Sequence, residues 1–276
     1  MTSSPLDIAL DRRTRLPLYV QVVERLRDLI EQERLAPGAA LPSEAVLRRR
    51  LAVSRATIRQ ALQELELEGW IERHQGRGTF VALPPLERAL PELTSFSEHL
   101  ASQGLTSSSR LVGYERVDAG RDGHGAGVTA EGSPSPDAPD PALFGGETAL
   151  VRIVRLRLAS SAPVGIHTTL LPLELVDRIG FTDERLRADE QCSLYACLEE
   201  SGYRLRAAEE HLRARLAAAA EARLLGVPRH TAVMSVLRLT RGESGGLLEA
   251  VRAVYLGDKY DYVITLDRGA NPRRYP

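Results

Sequence analysis

The chain has 276 residues and a net charge of −1, with 43% hydrophobic and 26% charged residues, the balance of one large or two ordinary soluble domains. It is no polycation, so contact with nucleic acid must come from a local patch. Cys192 and Cys197 are too few for a disulfide framework and read as small buried residues, and no apolar run approaches the ~18 residues of a membrane span.

Residues 1–15 are polar and expected to be flexible. They lack the apolar core of a signal peptide, which makes a cytoplasmic protein the expectation. Leu16-Pro17-Leu18 leads into a helix with the apolar stripe Tyr19, Val22, Val23, Leu26, Leu29 and Ile30, which Pro37-Gly38 then breaks. Ser43 is placed to cap a second helix that turns Val46, Leu47 and Leu51 inward. Ala52-Val53 makes a turn, and Ser54 caps a third helix with Ile58, Ala61, Leu62 and Leu65 inward. Two short strands, 71–74 and 79–81, follow around Gln75-Gly76-Arg77-Gly78.

This order is that of a winged helix-turn-helix over residues 16–82, whose third helix enters the DNA major groove by its N-terminal end. Between 48 and 59 there are five arginines and no acid. Arg55 and Arg59 suit guanine edges, while Thr57 and the capped helix start suit phosphate. Arg77 at the wing tip suits the minor groove or a phosphate. Taken alone, a run such as Arg48-Arg49-Arg50 is more often a solvated helix face than a contact, and Ser43 and Ser54 are caps first.

PLYVQV at 17–22, Pro37-Gly38, LPSE at 41–44, VSRATIRQAL at 53–62, Glu68-Gly69 and GRGTFV at 76–81 together resemble the GntR family of bacterial transcription regulators. The resemblance implies a homodimer on a palindromic double-stranded operator, most often as a repressor. It makes Ser54, Arg55, Thr57 and Arg59 groove or phosphate contacts and places Gly76 in the wing, with Ser43, Arg48, Arg49, Gln75 and Arg77 as further DNA-binding candidates. One departure is Ala45, where the family usually carries an arginine; Arg48 or Arg49 is its candidate substitute.

Residues 83–93, opening with Leu83-Pro84-Pro85, read as a semi-rigid linker. A helix through Phe96 and Leu100 and a strand at 111–117 follow. Gly, Pro, Ala, Ser and Asp dominate 119–142, which reads as a disordered or long surface loop. The strand at 150–158 puts Val151, Ile153, Arg155 and Arg157 on one face, with the arginines about 6.5 to 7 Å apart. Two such forks can hold one phosphate or carboxylate, and the same pattern also fits a solvent-exposed ion pair. Beyond it come a strand at 164–171, helical sequence at 182–200, a short helix at 217–225 and a hairpin of 233–240 with 247–256. A last strand at 263–266 closes the half that spans 94–267, and a tail covers 268–276.

This second half is α+β with an antiparallel sheet. LTSFSEHL at 93–100, RLRL at 155–158, SLYACLEE at 193–200 and LEAVRAVYLGDKYDY at 248–262 resemble the effector-binding (UTRA) domain of the HutC branch of that family, which has a chorismate-lyase-like fold. The resemblance implies a small-molecule effector, such as a phosphosugar or carboxylate, gripped by Arg155 and Arg157. Ser95, Ser193, Glu249 and Tyr255 would line the pocket, with Phe96 and His167 beside them. His167 is itself a departure, since a glutamate usually stands there. No metal, cofactor or membrane partner is called for: the six histidines are scattered, and no nucleophile, base and orienter converge. An effector-responsive repressor is therefore the expectation. A ligand-independent regulator and a lyase-like enzyme are the alternatives.

Overall fold

The computed structural model describes residues 10–32, 35–74, 78–82, 85–90, 93–118, 127–128, 134–135, 138–145 and 149–266. The wing-tip candidates Gln75, Gly76 and Arg77 and most of 119–142 lie outside them.

Helix α1 (Leu18–Glu31) buries Val22, Val23, Leu26 and Leu29 at helical spacing. Helix α2 (Glu44–Leu51) ends at Ala52, whose φ of 50° is left-handed and turns the chain sharply into α3 (Arg55–Leu67). All four residues expected inward on α3, Ile58, Ala61, Leu62 and Leu65, are buried. Strands β1 (Ile71–His74) and β2 (Gly78–Val81) pair antiparallel from Ile71↔Val81 to His74↔Gly78. The Pro37-Gly38 turn lays a third segment beside β2: Leu41 N–H donates to the Thr79 carbonyl at 2.8 Å, and Val81 N–H donates to Ala39 at 2.9 Å. The buried members of this core all fall between Val22 and Val81. Helices and wing therefore close on themselves.

Strand β3 (Leu86–Leu90) precedes α4 (Phe96–Ser102) and β4 (Ser107–Asp118). Two-residue strands β5 (Gly127–Val128) and β6 (Pro134–Ser135) pair with each other. Strands β7 (Ala149–Ala159) and β8 (Ala162–Pro172) form a hairpin, followed by helices α5 (Leu173–Ile179), α6 (Asp183–Ala188) and α7 (Leu194–Glu200). Then come β9 (Leu205–Leu216), α8 (Ala219–Leu225), β10 (Ala232–Gly242), β11 (Leu247–Leu256) and β12 (Tyr260–Ile264). Six of these strands make one antiparallel sheet in the order β4-β7-β8-β11-β10-β9.

Both faces of the sheet are covered at β7. Val151 and Ile153 pack with Val176, Phe181 and Leu198 of the α5–α7 region, while Val154 and Leu156 pack with Ala222 and Leu225 of α8. Arg155 and Arg157 are consequently only 3% and 5% exposed. The solvent-exposed ion pair that their spacing also allowed is overturned, because helices lie over the face that it needed.

Several expectations change. The segment read as a linker carries β3, which pairs in parallel with β12 from Leu86↔Tyr260 to Leu90↔Ile264. The last strand therefore closes a separate two-stranded ribbon and not the main sheet. Helix α5 is an element that the sequence reading left out. The part of 119–142 that is described includes the β5–β6 pair and the start of a 3-10 turn, Pro141–Phe144, capped by Asp140. Among the described residues no helix is long and apolar enough to cross a membrane.

Gly165 faces Tyr255 across the β8–β11 ladder. A Cβ there would lie 2.7 Å from Tyr255 Cδ1 and 3.0 Å from the Val254 carbonyl oxygen. Gly165→Ala is expected to destabilise the protein by roughly 1–3 kcal/mol through overpacking. Urea denaturation checks this, and an unchanged midpoint would show that Tyr255 moves aside freely.

Candidate functional site

The DNA-reading candidates among the described residues lie on α2, α3 and the residues that cap them. Arg48, Arg49, Ser54, Arg55 and Arg59 are exposed and Thr57 is half-buried. Ser54 Oγ accepts the Thr57 N–H at 3.0 Å, and the two hydroxyls sit 2.8 Å apart, so the helix start is held. Arg55 Nε lies 3.8 Å from Glu44 on α2, a loose exposed pair that phosphate can displace. Ser43 occupies the N-cap position of α2 but makes no side-chain cap hydrogen bond, so the capping role expected of it is not formed. Ala45 is exposed beside the arginine run of α2.

The second site is a buried polar pocket on the sheet face under α4 and α7. Ser95, Phe96, Arg155, Arg157, His167, Ser193 and Glu249 all line it, joined by Leu194, Tyr195, Arg238 and Val251. Its cavity is about 30 Å³, room for little more than a water. Tyr255 is the one expected lining residue that falls outside. It stands behind His167, whose Nε2 lies 2.8 Å from Tyr255 Oη. Arg238 and Tyr195 were not foreseen. Arg238 is a charge set between Leu237 and Leu239 of β10, a signal like that of Arg155, and Tyr195 lies within the SLYACLEE segment itself.

The guanidiniums are held by only part of their donors. Arg155 Nη1 donates to the Cys192 carbonyl at 3.1 Å and Arg157 Nη1 to Ser109 Oγ at 2.5 Å, while the Nε of each is buried with no protein acceptor. Phe181 lies under Arg155 at 5.1 Å and Phe96 under Arg157 at 4.4 Å, so aromatic faces fix both forks. Burial pushes both guanidiniums below their ordinary value, Arg157 the further because Arg155 stands beside it. Arginine nonetheless keeps its proton, so the strain persists as positive charge that is only partly compensated.

One carboxylate faces them. Glu249 Oε2 accepts from Thr240 Oγ1 at 3.2 Å, and burial raises its pKa against the opposing pull of Arg238 and Arg155. Burial pushes the Tyr195 phenol up to about 12, so it stays protonated; its oxygen lies 3.1 Å from Thr240 Oγ1 and accepts from Arg238 Nη1 at 3.3 Å. His167 is driven well below the usual imidazole range by burial first and then by Arg157 and Arg155, and is therefore neutral. Ser95 spends its hydroxyl on capping α4, where it accepts the Glu98 N–H at 3.1 Å. The Ser193 hydroxyl makes no cap bond to α7. Cys192 and Cys197 are buried free thiols with sulfurs 3.8 Å apart. Cys192 precedes α7, which is why an offset that separates residues on one helix still brings these two together.

Exposed arginines beside a capped helix start and a buried, arginine-rich polar pocket are what a DNA-binding regulator with a small-molecule sensor would need. The family model described as "Bacterial regulatory proteins, gntR family" matches residues 18–81, and that described as "UTRA domain" matches residues 130–261. The HTH-type transcriptional repressor NagR of Bacillus subtilis (strain 168) is 32% identical over 260 residues, covering 94% of this chain and 98% of its own length. The HTH-type transcriptional repressor PhnF of Mycolicibacterium smegmatis is 28% identical over 229 residues, covering 83% and 85%. The crystal structure of PhnF from Mycobacterium smegmatis matches with a TM-score of 0.56 at 25% identity, covering 90% of this chain and 99% of that chain. The chain belongs to the gntR family of bacterial regulatory proteins. It is a transcriptional repressor of the type that joins a DNA-binding winged helix-turn-helix to a UTRA domain, with DNA and a small molecule as partners, and its relatives are named as regulators and not as enzymes.

Ser54→Ala removes the cap on α3 and is expected to cost about 1 kcal/mol of stability. Chemical denaturation of the full-length chain checks it. A loss below a few tenths would mean that water replaces the hydroxyl at no penalty.

Proposed function

We propose that the protein is a cytoplasmic homodimer that binds a palindromic operator and is controlled by a small anionic metabolite, a phosphosugar or a carboxylate. In this reading residues 16–82 bind DNA and residues 94–267 bind the effector. Ser43, Arg48, Arg49, Ser54, Arg55, Thr57, Arg59, Gln75, Gly76 and Arg77 contact the DNA. Ser95, Phe96, Arg155, Arg157, Ser193 and Glu249 contact the effector, with Arg238 and Tyr195 added to them, and Tyr255 acts through His167.

The observation that carries the reading is the charge of the pocket. Arg155, Arg157 and Arg238 face it; Glu210 behind the wall pairs with Arg238, Glu249 is the only carboxylate among the lining residues, and His167 is neutral, so Arg155 and Arg157 carry the excess. A buried excess of positive charge is relieved by an anion that also fills the open Nε donors. A neutral imidazole in place of the glutamate usual in the resemblance leaves the pocket one negative charge poorer, which favours a dianion such as a phosphomonoester over a monocarboxylate.

On the DNA side, Arg55→Ala and Arg59→Ala are expected to relax sequence preference by about 1–3 kcal/mol for each lost base contact. Each lost phosphate contact should lower the salt slope by about 0.9. Electrophoretic mobility shifts of a palindromic fragment from the gene's own promoter region, run with and without a panel of sugar phosphates and carboxylates, test both halves. Operator affinity of the parent should respond to a member of the panel. Arg155→Leu and Arg157→Leu should keep operator affinity within about twofold and lose that response, since typical coupling is about 5- to 150-fold. A parent indifferent to the whole panel would make the protein a ligand-independent regulator, and an Arg157→Leu variant that still responds would place the effector elsewhere.

A further inference from the structure

Two contact paths leave the pocket and end on the same pair of strands. The first is ionic. Arg238 lines the pocket, donates from Nε to Glu210 Oε1 at 2.5 Å, and donates from Nη1 to the Thr94 carbonyl at 3.2 Å. Arg88, on β3, shares both partners: its Nη2 donates to that carbonyl at 3.3 Å and lies 3.6 Å from that carboxylate oxygen. The second path is aromatic. His167 meets Tyr255, whose ring stacks on Tyr260 of β12 with centroids 3.9 Å apart and planes 15° from parallel.

Strands β3 and β12 are bonded to each other, and the residue before Tyr260 continues the path outward. The Lys259 carbonyl accepts the Leu86 N–H at 2.9 Å, and Lys259 Nζ pairs with Glu72 on wing strand β1. Lys259 and Glu72 line a cleft of about 800 Å³ between the two halves, together with Trp70.

A cavity of about 30 Å³ cannot admit a phosphate ester without movement of its walls. One wall is Phe96 on α4, six residues after β3 ends. Another is Arg238, and an anion that engages Arg238 competes with Glu210 and leaves that carboxylate to Arg88. Interactions that differ between the filled and unfilled pocket are what a ligand needs to shift a conformational equilibrium.

We infer that the β3–β12 ribbon transmits pocket occupancy to the DNA-binding half, with Arg88 and Tyr260 reading the pocket and the Lys259–Glu72 pair passing the ribbon's position to the wing. The inference rests on the anion-pocket reading above. Its roles are positional, since neither Arg88 nor Lys259 lines the pocket.

Trp70 is the only tryptophan of the chain and lines the cleft, so its fluorescence reports there with no other indole contributing. The test titrates inorganic phosphate into the full-length protein at constant ionic strength. Calorimetry follows binding and Trp70 emission follows the cleft, with chloride as the control. In the parent, emission should change saturably with the calorimetric midpoint. Arg88→Met and Lys259→Met should bind phosphate within about twofold of the parent and lose most of the Trp70 response. Lys259 is the more exposed of the two, so its variant carries the test if Arg88→Met fails to fold. Phosphate binding with silent Trp70 overturns the relay and leaves the pocket standing. Variants with an undiminished response, or an equal response to chloride, also overturn it. A parent that binds no phosphate removes the pocket reading and the relay with it.

Discussion

Two guanidiniums buried two residues apart on one strand are the constraint around which the C-terminal half is arranged. Desolvation opposes a buried charge, and a second charge of like sign beside it adds to that opposition. The fold answers with aromatic faces under each fork, a backbone carbonyl for Arg155, a serine hydroxyl for Arg157 and one nearby carboxylate, Glu249. This compensation is incomplete, because the Nε of each arginine has no protein acceptor. In the proposed reading, the stability given up at the pocket is what an arriving anion would restore, which would tie ligand affinity to the same charges that strain the sheet.

The N-terminal half follows a different logic. Its core is apolar and its charges lie outside, where they are hydrated and displaceable. The left-handed turn at Ala52 and the Ser54 cap orient α3, and buried Gln21 ties the segment before α1 to it through Asp11 and Leu16. Among the described contacts, the Lys259–Glu72 pair joins the two halves.

Legibility in the sequence divided along the same line. Helical spacing, turn residues and the Ser54 cap are local signals, so α1 to α3 and the wing could be read directly, and alternation gave β7, β10 and β11. The β3–β12 ribbon could not be read this way. Its pairing joins segments some 170 residues apart in parallel, and the prolines before it imitate a linker. The seven-residue helix α5 is too short to show a period. Within the pocket, the arginine pair stood out because charge in an apolar alternation is conspicuous. Arg238 carries the same signal and was passed over, while the retreat of Tyr255 behind His167 depends on a side-chain contact that no spacing reveals.

The central claim is that Arg155 and Arg157 form an unneutralised anion receptor. Equilibrium unfolding of the full-length protein in rising phosphate at constant ionic strength tests it most directly, since a ligand of the folded state alone stabilises it by RT ln(1 + [L]/Kd). The parent should gain stability in proportion to the logarithm of phosphate concentration once the site fills, and Arg157→Leu should gain none. Equal gains in the two proteins would mean that phosphate acts at the surface, and would contradict the account.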